Sequence, residues 1–221
     1  MSTKRIRTQP DLSLTSPNHQ GKSKEELINS GFNVIDEYKK LTVEEIKKRL
    51  RATAFPFAVA MEGWTGDFNF SCLVRTANGF NAEAVYYLGD KHWDRRGAQG
   101  THHYLDVNFV PEVDMFLALK SQYTFVGIDN VPGSVPMDDY EFPLRPLFIF
   151  GSEGTGLTPT MQSYCQDIVR IENFGSVRSL NAAVASGIVM HTYVCYLQRN
   201  CGHFSVLNQS CIFCHKRFPN E

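Results

Sequence analysis

Arg75 closes the stretch Asn69-Phe-Ser-Cys-Leu-Val-Arg75, and Glu153 sits between glycines in Gly151-Ser-Glu153-Gly-Thr-Gly156. Ser179, Leu180 and Asn181 follow a second loop rich in Gly, Ser and Asn. A planar guanidinium can hold an anion or stabilise developing charge, and amide, hydroxyl and carboxylate groups orient polar reactants. Glycine-rich turns add exposed main-chain amides and carbonyls that can grip a small ligand.

Two strand-and-loop units position most of these residues. Residues 146–150 and 167–171 are apolar runs of strand length, and each passes directly into a turn whose residues tolerate unusual backbone angles. Adjacent loops at the carboxyl ends of strands are the usual ligand site of an α/β protein. Residues 179–198 then read as an apolar helix with small residues early, for which Ser179 is the expected N-cap.

The earlier chain supplies the rest of the frame. Thr42 and Glu45 form a capping box for a helix ending near Arg51, and residues 54–64 are a strand and loop. A helix capped by Asn69 is expected to end near Gly79, with strands at 83–90 and 122–130 and a helix from Pro111 to about 121 between them. Residues 131–145 read as a turn-rich connection. Strands alternating with short helices predict an α/β fold with a mostly parallel sheet and helices on both faces.

With 221 residues, 43% of them hydrophobic, the chain has material for one core plus appendages. No apolar run reaches the ~20 residues of a membrane span, and residues 1–17 lack the apolar centre of a signal peptide, so a cytoplasmic location is expected. The 22 basic and 23 acidic residues leave a net charge of −1, so a polyanion must be met by a local patch. The loop carrying His92, Trp93, Arg95, Arg96, His102 and His103 offers cations for phosphate and an aromatic for a base, and Arg178 is a further cation. Cys72, Cys165 and Cys195 read as buried thiols and His191 as a core histidine. Cys201, His203, Cys211, Cys214 and His215 are of zinc-compatible type but only loosely finger-like in spacing, so no metal site is assigned. The expected division is a basic arm (1–22), a helical extension (23–51), the main domain (52–200) and a Cys/His tail (201–221).

Three ordered motifs give the chain a resemblance to the SPOUT superfamily, specifically the SpoU (TrmH-type) RNA ribose 2′-O-methyltransferases. They are Asn69 to Arg75 on a helix, Gly151-x-Glu153-x-x-Gly156 after a strand, and Ile171 with Ser179-Leu180-Asn181 opening the last helix. Where many members carry Pro and Met after the isoleucine, this chain has Glu172 and Asn173. The resemblance implies a deep trefoil knot near the carboxyl end, a homodimer, and an S-adenosylmethionine site at Asn130, Gly151, Ile171, Ser179, Leu180 and Asn181. It implies catalytic roles for Arg75, Asn69, Glu153, Ser179 and Asn181, and tRNA or rRNA contacts through Arg75, Arg95, Arg96, His102 and Arg178. An arginine is charged at any working pH, so a neighbouring phosphate is the expected proton acceptor, with Arg75 orienting it. One rival is a catalytically silent RNA-binding protein on the same fold. Another is a nucleotide-binding protein using residues 151–156 on phosphates, although no Lys-Ser/Thr follows those glycines as in a P-loop.

Overall fold

The computed structural model describes residues 34–63, 67–152 and 154–200. The basic arm, the Cys/His tail and Glu153 lie outside these residues.

Helix α1 (Val43–Ala52) starts at the expected capping box: Glu45 N–H donates to Thr42 Oγ1 at 3.3 Å, and Thr42 N–H donates to Glu45 Oε2 at 2.8 Å. Two of the helix's orphan donors are thereby satisfied. At its other end Arg51 makes a forked bond to Asp106, with Nη2 2.9 Å from both carboxylate oxygens, so this charge has a structural partner.

Seven strands form one parallel sheet: β1 (Phe55–Glu62), β2 (Ala82–Leu88), β3 (Val107–Phe109), β4 (Thr124–Ile128), β5 (Val135–Pro136), β6 (Pro146–Phe150) and β7 (Asp167–Arg170). Their spatial order is β3-β2-β1-β6-β4-β7-β5, and every pairing is parallel. Parallel strands need crossovers, which place helices on both faces of the sheet. The side-chain alternation shows the result. Phe57, Val59 and Met61 of β1 join Phe148 and Phe150 of β6 in one cluster, under α2 (Asp67–Gly79) and α5 (Ala182–Asn200). Ala58, Ala60, Leu147 and Ile149 enter the opposite cluster, with Phe116 of α3 (Val113–Leu117) and Met161 of α4 (Pro159–Tyr164).

Tyr193 anchors α5. Its ring, fully buried, meets Phe57 and Phe148 edge-on, each at 5.4 Å, while its hydroxyl donates to Leu144 O at 2.6 Å. A buried aromatic with a satisfied hydroxyl fixes both the depth and the rotation of the helix. Among the described residues no helix is long and apolar enough to cross a membrane.

Several local expectations change. The turn-rich connection contains β5, which pairs with β7 at Val135 and Val169. The helix after Pro111 covers only five residues before tightening into a 3-10 turn at Ala118–Ser121. Asn69 lies inside the first turn of α2, which begins two residues earlier. Ser179 is not the cap of α5: Asn181 Oδ1 accepts from the N–H groups of Ala183 at 3.0 Å and Val184 at 3.2 Å. His191 is exposed, with its ring 6.0 Å from Phe80, and Cys72, Cys165 and Cys195 are free thiols that are only partly buried.

Candidate active site

Strands β6, β4 and β7 are neighbours, so the three loops at their carboxyl ends converge. They enclose a cavity of about 420 Å³ lined by residues 128–131, by Phe150, Gly151, Ser152 and Gly154 to Gly156, and by Ile171, Asn173 and Arg178 to Leu180. Of the expected cofactor residues, Asn130, Gly151, Ile171, Ser179 and Leu180 line this cavity. Asn181 lies just beyond its wall, where it organises the helix.

Cross-bonds between loops fix the wall. Asn130 Nδ2 donates to Arg178 O at 3.3 Å, joining the loop after β4 to the loop after β7. Asp129 joins the loop after β4 to the loop after β6: Oδ2 accepts from Leu157 N–H at 2.8 Å, while Oδ1 accepts from Asn130 N–H at 2.7 Å. Gly156 has φ of +68°, and a Cβ there would run into the Asp129 carboxylate. A Cβ on Gly151 would meet the Gly156 backbone, so the two glycines permit a tight antiparallel bridge between Ser152 and Gly156. Asp129 is a site residue that sequence reasoning missed; its signal was an acid at the end of an apolar strand.

Among the described residues Asp129 and Arg178 are the charged members of the lining, and three glycines contribute to it. The volume falls in the roughly 300–1,000 Å³ range of small-molecule sites, which includes a nucleoside-sized ligand.

The Asn69–Arg75 motif reaches the same end of the sheet through α5. Asn181 Nδ2 donates to Asn69 Oδ1 at 3.0 Å, and because Asn181 Oδ1 is committed to the helix cap, the direction of this bond is determined. Further along, Thr76 faces Gly187, so α2 and α5 run side by side past Arg75. Arg75 is exposed on this helix pair and forms no ion pair among the described residues, which leaves its guanidinium available to an outside anion.

The loop between β2 and β3 is more structural than its composition suggests. Arg96 is held by Asp94, with Nε 2.7 Å from Oδ2, and the guanidinium keeps that carboxyl below its usual range. His102 packs edge-on against Trp93 at 5.7 Å, its Nδ1 buried with no hydrogen-bond partner among the described residues. Burial, with His103 and Arg95 adding to it, pushes His102 down to about 4. Arg95 is exposed over the Trp93 ring at 5.8 Å and is the freer cation of this loop.

Comparison with known proteins agrees with this geometry. Residues 56–191 match the SpoU rRNA Methylase family. The tRNA (guanosine(18)-2′-O)-methyltransferase of Saccharomyces cerevisiae is 32% identical over 75 residues, covering 34% of this chain and 5% of the yeast protein. A 23S rRNA (guanosine-2′-O-)-methyltransferase of Acinetobacter baylyi is 25% identical over 159 residues, covering 68% of this chain and 64% of that protein, so the chain spans less than two thirds of the length of either relative. Among solved structures, the A. aeolicus TrmH/SpoU tRNA modifying enzyme aligns with a TM-score of 0.63 at 22% identity, over 72% of this chain and 86% of that one. The SpoU methyltransferase AviRb of Streptomyces viridochromogenes, in complex with AdoMet, gives 0.58 at 24% identity, over 63% and 57% of the two chains. With the matched segment running from the first strand into the last helix and enclosing all three site loops, the chain belongs to the SpoU rRNA methylase family.

Proposed function

We propose that the protein transfers a methyl group from S-adenosylmethionine to a ribose 2′-oxygen of tRNA or rRNA. The observation that carries this reading is the convergence of three loops on a glycine-rich cavity beside the helix pair that displays Arg75. Family membership and the printed activities of the yeast and Acinetobacter relatives support it.

Asn130, Gly151, Ile171, Ser179 and Leu180 would hold the cofactor, largely through main-chain groups, while Asn181 keeps the start of α5 in place. When bound, S-adenosylmethionine supplies an electrophilic methyl group on a sulfonium, open to in-line displacement. The protein's tasks are then alignment, exclusion of water and disposal of the hydroxyl proton. Arg75 holds an RNA phosphate against the ribose, that phosphate takes the proton, and the guanidinium stabilises the charge as it shifts. Asn69 positions α2 through Asn181. Arg178 and Arg95 add phosphate contacts; Arg96 and His102 contribute less directly, through the folded loop that presents Arg95. Glu153 is assigned a catalytic role by its motif alone.

The carboxyl-terminal trefoil knot belongs to the same reading and is supported by the family match. So does a cytoplasmic homodimer, supported by the exposed apolar side chains of Phe68 and Val184 on the paired helices. The division into arm, helical extension, knotted domain and tail completes it. Calorimetric titration with S-adenosylmethionine, repeated in excess ATP, tests the cofactor site. Micromolar binding unaffected by ATP is expected, whereas displacement by ATP would favour the phosphate-binding rival.

A further inference from the structure

The loop between β7 and α5 has two sides. Ile171, Asn173, Arg178, Ser179 and Leu180 line the cavity, whereas Phe174 is 94% exposed and Val177 58% exposed. The division has a local cause: Asn173 Nδ2 reaches Arg178 O at 3.5 Å, closing the loop so that the residues between stand away from the wall. A phenyl ring that no other described element covers, one residue from a cavity wall, is unusual beside Phe57, Phe70, Phe116 and Phe148, which are fully buried.

The surroundings select the occupant. Arg178 sits at the other end of the same short loop, and Arg75, exposed on the neighbouring helix pair, forms no ion pair among the described residues. A planar apolar face beside cations suits a ligand with a planar ring and an anionic backbone, which is a nucleotide. The ribose to be methylated must be held still at the cavity mouth, and stacking its base on a side chain with few rotatable bonds does this for any base.

We propose that Phe174 is the stacking platform for the base of the nucleotide whose ribose is methylated. This rests on the proposed methyltransferase reading of the site. Phe174 then contributes to binding RNA and not to binding S-adenosylmethionine, and an aromatic replacement preserves its role.

The test compares wild type with Phe174→Ala and Phe174→Trp. Methyl transfer to bulk tRNA and to total rRNA, S-adenosylmethionine affinity, and molar mass by light scattering are measured for each. Phe174→Ala is expected to lose about 10-fold or more in kcat/KM, mainly through KM, with cofactor affinity and molar mass unchanged. Phe174→Trp should stay within about 3-fold of wild type, and its added tryptophan emission should be quenched by the RNA that is methylated. Alanine activity equal to wild type would overturn the proposal. So would a loss that follows cofactor affinity, which would place the ring in the cofactor site, or a change in molar mass, which would place it in a subunit contact. A wild type that binds cofactor but methylates neither RNA would contradict the methyltransferase reading instead. In that case the Phe174→Trp emission decides the stacking claim alone: quenching by either RNA sustains it and unchanged emission overturns it.

Discussion

Asn181 joins the end of one helix to the side of another through the two atoms of a single amide. Its oxygen satisfies two backbone donors at the start of α5, and its nitrogen is thereby directed at Asn69 on α2. Removing Asn69 deletes its bond to Asn181, whereas removing Asn181 deletes that bond and the cap. Asn69→Ala should therefore cost about 0.5–1.5 kcal/mol. Asn181→Ala should cost roughly 1 kcal/mol more. The double variant should cost less than the sum of the two single variants, because the shared bond can be lost only once. Urea denaturation of the three variants checks this, and simple additivity would show that the two amides act independently. The sequence pointed to both asparagines but placed the caps at Asn69 and Ser179, where the structure has Asn69 inside α2 and Asn181 as the cap of α5. Ser179 and Asn181 are both good capping types, and only the position at which α5 leaves its loop decides which one meets orphaned N–H groups.

The site loops were legible as elements because their signals are local: strand-length apolar runs ending in glycine-rich turns. The contacts that hold the loops together were not, since Asp129 acts on Leu157, 28 positions away. Strand β5 escaped notice for the same reason, being two residues long and defined by its pairing with β7. Gly156→Ala tests the loop arrangement. It forces a side chain into a left-handed backbone position and into Asp129, so a destabilisation of ~1 kcal/mol or more is expected, with loss of S-adenosylmethionine binding in titration. Retained binding would mean that the loop after β6 is dispensable to the cavity. The β2–β3 loop makes a separate prediction. His102 is held neutral by burial, so as pH falls from 6.5 toward about 4 the unfolded chain takes up the proton first. The stability it contributes is complete above 6.5 and is lost across that window; His103 shifts in the same direction. Melting temperatures should fall over this range, and less steeply in His102→Phe. Equal slopes in the two proteins would remove His102 as a source.

At the scale of the whole molecule, the proposed function requires a chain with a net charge of −1 to meet RNA through a few placed cations and not through a general field. Arg75, Arg95 and Arg178 are exposed at or near the proposed binding face, while Arg51 and Arg96 are paired with acids of their own fold. Composition could not separate these two groups of arginines, because the distinction depends on partners such as Asp106, 55 positions from Arg51. The family was legible because its motifs are short and ordered, and each falls where the sheet ends. The most direct test of the account is transfer of tritiated methyl from S-adenosylmethionine to bulk tRNA and total rRNA, wild type beside Arg75→Ala, followed by nucleoside analysis. Label in a 2′-O-methylated nucleoside is predicted for wild type. For the variant, at least a roughly 100-fold loss of transfer is predicted, with stability within about 0.5 kcal/mol of wild type and cofactor affinity unchanged. Label in a base, or full transfer by Arg75→Ala, would contradict the account.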